Sequence, residues 1–314
     1  MTRITRRGLT GGMLAGAALL ARPALAQGTT RITLGYTAVS DFLAAFCAQE
    51  EGFFRARGLD VAFQLIPLNS NIPAAMQADS VQIGGPTPSV MLQAVDGGLD
   101  LVAIAGASFT NHAVLNYGFV ERAGAGIASA KDVEGKRVGV PGLNAFLHVL
   151  FRKWLSEKGA DWRKVSFIET PFVQMPDIIR GGSIDGLVTA SPIMERMVAA
   201  QTARVVSYFH TEMPGGLPAI VYSSTRAWAG RNPRLVAAFR EGLAEGVAFM
   251  RANDAKAREH MAKYIRLPPE VIAAAIISFQ KAQLSVEELA FWTTIMAEQE
   301  MLRGRIAPGS VLLP

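Results

Sequence analysis

The sequence predicts an α/β protein in which two lobes, each a doubly wound sheet with its helices, flank a ligand cleft. Short β-type runs alternate with helical runs over most of the chain, as is typical of parallel sheets. A breaker at residues 213–218 precedes one further strand at 219–223, and the pattern over 233–303 is helical. We therefore expect the chain to cross to a second lobe near 114–120 and to return near residue 219 to the first.

The first lobe is predicted from alternating strands and helices. Runs rich in Ile, Val and Leu predict its strands at 31–36, 60–66, 81–84 and 101–105. Apolar residues at helical spacing predict its helices at 41–57, 71–78 and 88–95. Gly58 is expected to end the first helix, because glycine readily takes the left-handed conformation there. Pro88 is expected to begin the last helix, since proline suits the first helical turn.

The second lobe follows residues 124–126, Gly-Ala-Gly, in a series of the same kind. Its strands are predicted at 137–140, 165–168, 184–188 and 204–208. Its helices are predicted at 145–157, 174–180 and 194–200. A similar order of small residues, short strand, and hydroxyl residues with proline occurs at 76–89 and again at 179–192. We expect this repeat to place two helix N-termini across the cleft, one from each lobe.

The C-terminal part is predicted to be helical and to cover the first lobe. Apolar and charged residues alternate at helical spacing over 271–283 and 287–303. The expected lobe boundaries are therefore 29–115 together with 219–314 for the first lobe, and 116–218 for the second.

Residues 1–26 have the pattern of an export signal. Three arginines among the first seven residues precede an apolar run at 9–21, and residues 24–26, Ala-Leu-Ala, supply the small residues of a cleavage site. The apolar run is shorter than the roughly 20 residues that a transmembrane helix needs. Residues 5–9, Thr-Arg-Arg-Gly-Leu, resemble the twin-arginine variant, although Leu9 stands where phenylalanine is usual. The twin-arginine and Sec routes both stay open, and the mature chain is expected to be soluble outside the cytoplasm.

The charge balance gives no support to nucleic acid or a membrane surface as a partner. The chain has 31 Lys and Arg residues and 26 Asp and Glu residues. Four of the arginines belong to the predicted leader, so the mature chain has 27 basic residues against 26 acidic ones. The sequence pI of about 9.5 is therefore largely due to the leader. The single Cys47 lies in an apolar helical stretch and is expected to be a buried thiol.

Several motifs resemble those of the nitrate/sulfonate/taurine-type periplasmic substrate-binding proteins. They are Glu-Glu-Gly-Phe-Phe-Arg-Ala-Arg-Gly-Leu-Asp-Val at 50–61, the small residues at 84–85 and 103–106, and the segment 131–140 with 182–186 behind it. The similarity covers essentially the whole mature chain. It implies a type II periplasmic-binding fold, located in the periplasm, that closes on a small solute and presents it to an ABC-transporter permease.

The expected ligand site lies beyond the carboxyl ends of the strands, where the next helices begin. Backbone N–H groups and the helix dipole can hold a polar or anionic group there without arginine. The loops expected at this edge contain no Lys or Arg: 37–41, 69–72, 85–89, 108–112, 141–146, 170–175 and 189–195. The candidate ligand-binding residues are Tyr36, Ser40, Asp41, Asn71, Thr87, Ser89, Ser108, Phe109, Asn144, Phe146, Phe172, Thr189 and Ser191. For each of them the alternative is a helix cap or packing in the core.

The composition of these loops supports a hypothesis about the solute. A fully exposed dianion such as sulfate is disfavoured, because arginine is the usual strong partner of such an anion. An organic solute with a flat or apolar body and one carboxylate, sulfonate or amide end fits better. Phe109, Phe146 and Phe172 would stack against the body while helix N-termini take the polar end. Asp41 and Glu195 would instead pair with an amine, although both also suit the first turn of a helix.

Enzymatic chemistry has little support in the sequence. The four histidines are scattered, and neither a nucleophile elbow nor a phosphate loop is present. We expect no catalytic residue, no metal and no cofactor. Two alternatives stay open: an enzyme on the same fold, similar to pyrimidine-precursor synthases or dehydratases, and a ligand sensor module. The expected partners are a small organic solute and an inner-membrane permease, without nucleic acid. The mature chain is expected to be a monomer with no membrane span.

Overall fold

The structure is a computed structural model that describes residues 29–314, so the predicted export signal lies outside the described residues. The strands within this part are β1 (Thr30–Tyr36), β2 (Leu59–Leu65), β3 (Ile83–Gly84), β4 (Leu101–Phe109), β5 (Tyr117–Arg122), β6 (Arg137–Val140), β7 (Ser166–Glu169), β8 (Gly186–Ala190), β9 (Ala203–Ser207), β10 (Pro218–Thr225) and β11 (Phe279–Gln280). The α-helices are α1 (Leu43–Glu50), α2 (Ile72–Gln77), α3 (Pro88–Asp96), α4 (Phe146–Glu157), α5 (Met175–Arg180), α6 (Ile193–Ala199), α7 (Arg226–Arg231), α8 (Pro233–Ala252), α9 (Asp254–Tyr264), α10 (Pro269–Ala274) and α11 (Val286–Glu298).

Two mixed sheets organise these elements, and they confirm the predicted α/β class. The first sheet has the strand order β11-β4-β10-β3-β1-β2, with β1 parallel to β2 and β3, and β10 antiparallel to β3 and β4. The second has the order β7-β6-β8-β5-β9, with β6 parallel to β7 and β8, and β5 antiparallel to β8 and β9. Strand β4 is buried along its whole length, which explains its nearly continuous apolar sequence.

The chain passes between the sheets twice, after β4 and before β10. These two connections lie side by side, since the backbone N–H of Thr110 donates to the carbonyl of Leu217 at 2.8 Å. His112 Nε2 hydrogen-bonds the carbonyl of Met213 at 2.7 Å in the same region. Both crossings are therefore tied together at one edge of the cleft between the sheets.

Helix α1 is shorter than the sequence predicts, because Gly52 ends it six residues before Gly58. Gly52 has φ 77°, in the left-handed region that glycine takes at little cost. A separate 3-10 turn at Arg55–Arg57 follows, and Gly58 ends that turn with φ 75°. Cys47 on α1 is buried as predicted, and burial raises the pKa of its thiol to about 12.

The helix predicted at 271–283 was wrong beyond Ala274, where α10 ends. The chain continues as β11, which pairs antiparallel with the edge of β4. The buried Gln280 explains this, because its Oε1 accepts from the N–H of Ala44 at 3.0 Å and its Nε2 donates to the carbonyl of Ser40 at 2.8 Å.

Among the described residues, no helix combines the length and apolar character needed to cross a membrane.

Candidate functional site

A small cavity lies between the two sheets, beyond the carboxyl ends of β1, β6 and β8. Its volume is about 30 Å³, enough for one or two water molecules. The residues that line it are Thr37, Val39, Asp41, Asn69, Thr87, Tyr117, Pro141, Ala145, Phe146, Leu147, Phe172, Ala190, Ala219 and Ile220. Because strands and loops of both sheets contribute, movement of one sheet relative to the other would change its volume directly.

The first-sheet wall is held together by Asn69, a buried residue on the loop before α2. Its Nδ2 donates to the carbonyl of Gly85 at 3.2 Å, and its Oδ1 accepts from the N–H of Thr87 at 2.8 Å. Thr87 in turn caps α3, since its hydroxyl accepts from the N–H of Val90. This wall is therefore a fixed set of polar groups on rigid elements.

The second-sheet wall is largely apolar. Phe146 stands at the start of α4, and its ring lies 5.0 Å from that of Tyr117 and 5.6 Å from that of Trp292, measured between ring centroids. Phe172 occupies the turn before α5 and is also buried. Apolar surface on one side and polar groups on the other are typical of a site for a small organic molecule.

Asp41 and Tyr117 meet across the cavity, where the phenol donates a hydrogen bond to Oδ1 of the carboxyl group. Asp41 is only 2% exposed. Burial raises the pKa of Asp41, although the hydrogen bond from Tyr117 and the nearby Ser108 hydroxyl oppose that shift. Burial and the nearby carboxylate charge also raise the pKa of Tyr117 well above its ordinary value. The pair thus joins the first sheet to the second through an ionisable group inside the cavity.

Ser40 and Ser191 join the two sides beside the cavity rather than lining it. The N–H of Ser40 donates to the carbonyl of Ser191 at 3.4 Å, and the N–H of Ile276 donates to the Ser191 hydroxyl at 2.8 Å. The Ser40 hydroxyl donates to the carbonyl of Ile276 at 3.2 Å. These three residues therefore connect the loop before α6 to the first sheet and to the C-terminal segment.

Glu169, at the end of β7, forms a second bridge across the cleft. Its Oε1 accepts from the hydroxyl of Ser70 at 3.0 Å and from the N–H of Leu143 at 2.8 Å. Ser70 belongs to the loop before α2, and Leu143 to the loop before α4, so one carboxylate contacts both sides. The bridge exists only while the two sheets stay close.

If a small molecule binds in the cavity between the sheets, Glu169→Ala is predicted to weaken its binding by about 3- to 10-fold, because the change removes a contact between the two sides worth about 1 kcal/mol. Calorimetric titration of the wild type, Glu169→Ala, Ser70→Ala and the double variant measures the coupling between the two side chains. Unfolding by urea should change little, since Glu169 is half-buried at the cleft edge. If the changes in binding free energy of the two single variants add up to that of the double variant, the bridge would be contradicted.

Of the thirteen residues proposed from sequence, four line the cavity: Asp41, Thr87, Phe146 and Phe172. The others lie outside the lining, at Tyr36, Ser40, Asn71, Ser89, Ser108, Phe109, Asn144, Thr189 and Ser191. Asn71 is exposed, and the hydroxyl of Tyr36 donates to the carbonyl of Tyr264 at 3.0 Å. Asn144 has φ 62°, and its N–H donates to His148 Nδ1 at 2.8 Å. The ring of Phe109 packs under the Lys281 ammonium group.

Several lining residues were missed because they lie on crossing strands or carry no polar side chain. Tyr117 begins β5, while Ala219 and Ile220 lie on β10, and no predicted loop included them. Asn69 and Ala190 lie in the predicted loops, next to the candidate residues Asn71, Thr189 and Ser191. A tyrosine at the first crossing was the one available signal, since a buried phenol needs a hydrogen-bond partner.

The fold is that of the periplasmic binding proteins. The alkanesulfonate-binding protein SsuA from Xanthomonas axonopodis pv. citri, bound to MOPS, superposes with TM-score 0.77 at 15% identity over 91% of this chain and 99% of that chain. The periplasmic aliphatic sulphonate binding protein SsuA from Escherichia coli gives 0.73 at 15% identity over 90% and 97%. The periplasmic nitrate-binding protein NrtA from Synechocystis PCC 6803 gives 0.74 at 13% identity over 90% and 85%.

Residues 39–257 match the family described as NMT1/THI5 like, which is more than half of the chain. The protein therefore belongs to the NMT1/THI5-like family, and the resemblance found in its sequence motifs is confirmed. No curated protein matches the chain. At identities of 15% or less, the structural similarities establish the fold alone.

Proposed function

We propose that this protein is the extracytoplasmic solute-binding component of an ABC import system. It closes on a small organic solute and delivers it to a permease. The observation that carries this proposal is the cavity between the two sheets, to which the first sheet contributes most of the polar groups and the second most of the apolar groups. Membership of the NMT1/THI5-like family and the fold shared with SsuA and NrtA support it.

Binding is proposed to work by hinge closure. The lobes would be residues 29–115 with 219–314 on one side and 116–218 on the other, a division that agrees with the strands of each sheet. The two adjacent crossings would absorb the change of backbone angles, while each lobe moves as a rigid body. A solute favours the closed form only by touching both lobes. Asn69 and Thr87 would contact it from the first lobe, and Phe146 and Phe172 from the second.

The solute is proposed to be a sulfonate, a carboxylate, or an aromatic or heteroaromatic compound. Apolar side chains dominate the second-sheet wall and would cover its body, while the polar first-sheet wall orients one functional group. The MOPS molecule bound to SsuA is an organic sulfonate of this general kind. Export to the periplasm and a monomeric state belong to the same proposal.

A thermal-shift screen with sulfonates, carboxylates, aromatic amines and pyrimidines tests the proposal. A solute at about 100 times its dissociation constant adds roughly 2.7 kcal/mol of stability, which appears as a clear rise in melting temperature. We expect at least one class to produce a saturable shift, and the bound compound to be recovered unchanged. Turnover of that compound would contradict a binding role and favour an enzyme on this fold. No shift from any class would count against the cavity as a solute site.

A further inference from the structure

We infer that the cavity selects a small organic cation, a protonated amine on an apolar body, and that Asp41 supplies the opposite charge. The inference rests on the proposed function and, of the solutes proposed there, keeps the aromatic and heteroaromatic compounds that carry an amine and excludes the sulfonates and carboxylates. Asp41 is the only carboxyl group among the described residues that line the cavity, and no Lys or Arg lies among them. A charged solute in the cavity would therefore lie close to one negative group and to no positive side chain of the described lining.

The surroundings of Asp41 lack the compensation that a buried carboxylate normally has. Buried charges in proteins are usually paired with an opposite charge. The titratable groups that face Asp41 are the phenols of Tyr117 on β5 and Tyr222 on β10, and neither carries positive charge. The Ser108 hydroxyl on β4 lies close enough to lower the pKa of Asp41, yet its oxygen has no hydrogen-bond partner among the described residues. His210 packs its ring 5.3 Å from that of Tyr117, behind the phenol, and burial lowers its pKa.

These groups leave the Asp41 carboxylate without a positively charged partner in the described lining, so a cation can bind to it. Tyr117 supplies one donor to Oδ1, and the described lining contains no second carboxylate that would repel the charge of Asp41. An ammonium group in the cavity would supply both the missing charge and further N–H donors to the carboxylate oxygens. The rings of Phe146 and Phe172 and the side chain of Leu147 would then cover the apolar body.

An anionic solute would be repelled in this cavity. A sulfonate or carboxylate in the cavity would lie close to Asp41, and two negative groups in a site of low polarity repel each other. Asp41 would have to bind a proton before such a solute could enter. The same cavity therefore gives opposite pH dependences for the two classes of solute: cation affinity rises as Asp41 ionises, and anion affinity falls.

Calorimetric titration with three probes of similar shape separates these cases: benzylamine, benzyl alcohol and benzoate. We expect benzylamine to bind at least about tenfold more tightly than either other probe near pH 7. Its affinity should rise with pH while the amine stays protonated, and should level off above the pKa of Asp41 in the free protein. Benzyl alcohol should show no such dependence.

The variant Asp41→Asn keeps the shape and an oxygen that accepts from Tyr117, and its amide can donate to the Ser108 oxygen. We expect it to lower benzylamine affinity at least about tenfold, to remove the pH dependence, and to weaken benzyl alcohol binding much less than benzylamine binding. Its unfolding midpoint near pH 7 should not fall, because a neutral side chain replaces a buried ionisable one. The control Glu270→Gln removes an exposed carboxyl group of α10 and should bind all three probes as the wild type does.

Two results would overturn the inference in distinguishable ways. Tighter binding of benzoate than of benzylamine, with affinity that falls as the pH rises, would exclude the cation while leaving the solute-binding role intact. Failure of these probes and of every class in the thermal-shift screen would remove the proposed function together with the inference.

Discussion

Replacing Ala190 by leucine is expected to weaken solute binding by about 100-fold or more, which corresponds to roughly 2.7 kcal/mol of binding free energy. Ala190 ends β8, lines the cavity, and pairs with Tyr117 across the two antiparallel strands. Directly opposed residues point to the same face of a sheet, so the Ala190 side chain projects beside the phenol that contacts Asp41. Three added carbon atoms would occupy the space of about 30 Å³ that a solute must share.

Calorimetric titration with the solute identified in the thermal-shift screen measures this effect. The change leaves polar groups of the cavity in place, so it tests the location of the site independently of the solute's charge. Ala190→Ser is the matched control, because it adds one atom and should retain binding within a few-fold. Circular dichroism should show that both variants keep the native fold. Unchanged affinity in Ala190→Leu would place the site elsewhere.

Replacing Gly246 by alanine is expected to lower the free energy of unfolding by about 2–3 kcal/mol, an effect of overpacking. Gly246 lies in the middle of α8, where that helix packs directly on α1. A Cβ atom at this position would lie 2.1 Å from the carbonyl oxygen of Ala44 and 3.0 Å from the Cβ of Ala48. The helix must therefore move away from α1, and this cost exceeds the gain of about 1 kcal/mol that alanine brings to a helix interior.

Gly230→Ala is the control for that prediction. Gly230 lies in α7, and a Cβ atom there would have no neighbour within 4 Å. We expect this variant to be unchanged or more stable by about 0.5–1 kcal/mol. Urea unfolding of both variants gives the comparison, and equal stabilities would show that α8 can shift without loss of packing.

Local patterns in the sequence predicted most individual elements. The helix at 145–157 and the strand at 137–140 are observed as α4 and β6 within one residue, because apolar periodicity and β-branched runs determine them locally. The fold class and the family were accordingly accessible from the sequence motifs at 50–61 and 131–140.

The sequence predicted the candidate site only in part, because the direction of each side chain decides whether that side chain lines the cavity. Asp41, Thr87, Phe146 and Phe172 lie in loops that the strand order places at one edge, and they line the cavity. Tyr36 lies at the end of β1 next to such a loop, yet its ring turns into a cluster with Phe46 and Tyr264. No local pattern distinguishes these two outcomes.

The sequence by itself determined most element types and the absence of basic side chains from the predicted loops, since each depends on residues close together in the chain. Tertiary structure alone decided that Tyr117 meets Asp41, that Glu169 contacts Ser70, and that Gln280 turns a predicted helix into an edge strand of the first sheet. The residues joined by these three contacts are 76, 99 and 240 positions apart in the chain. Such pairs form only when packing of the whole chain brings their elements together.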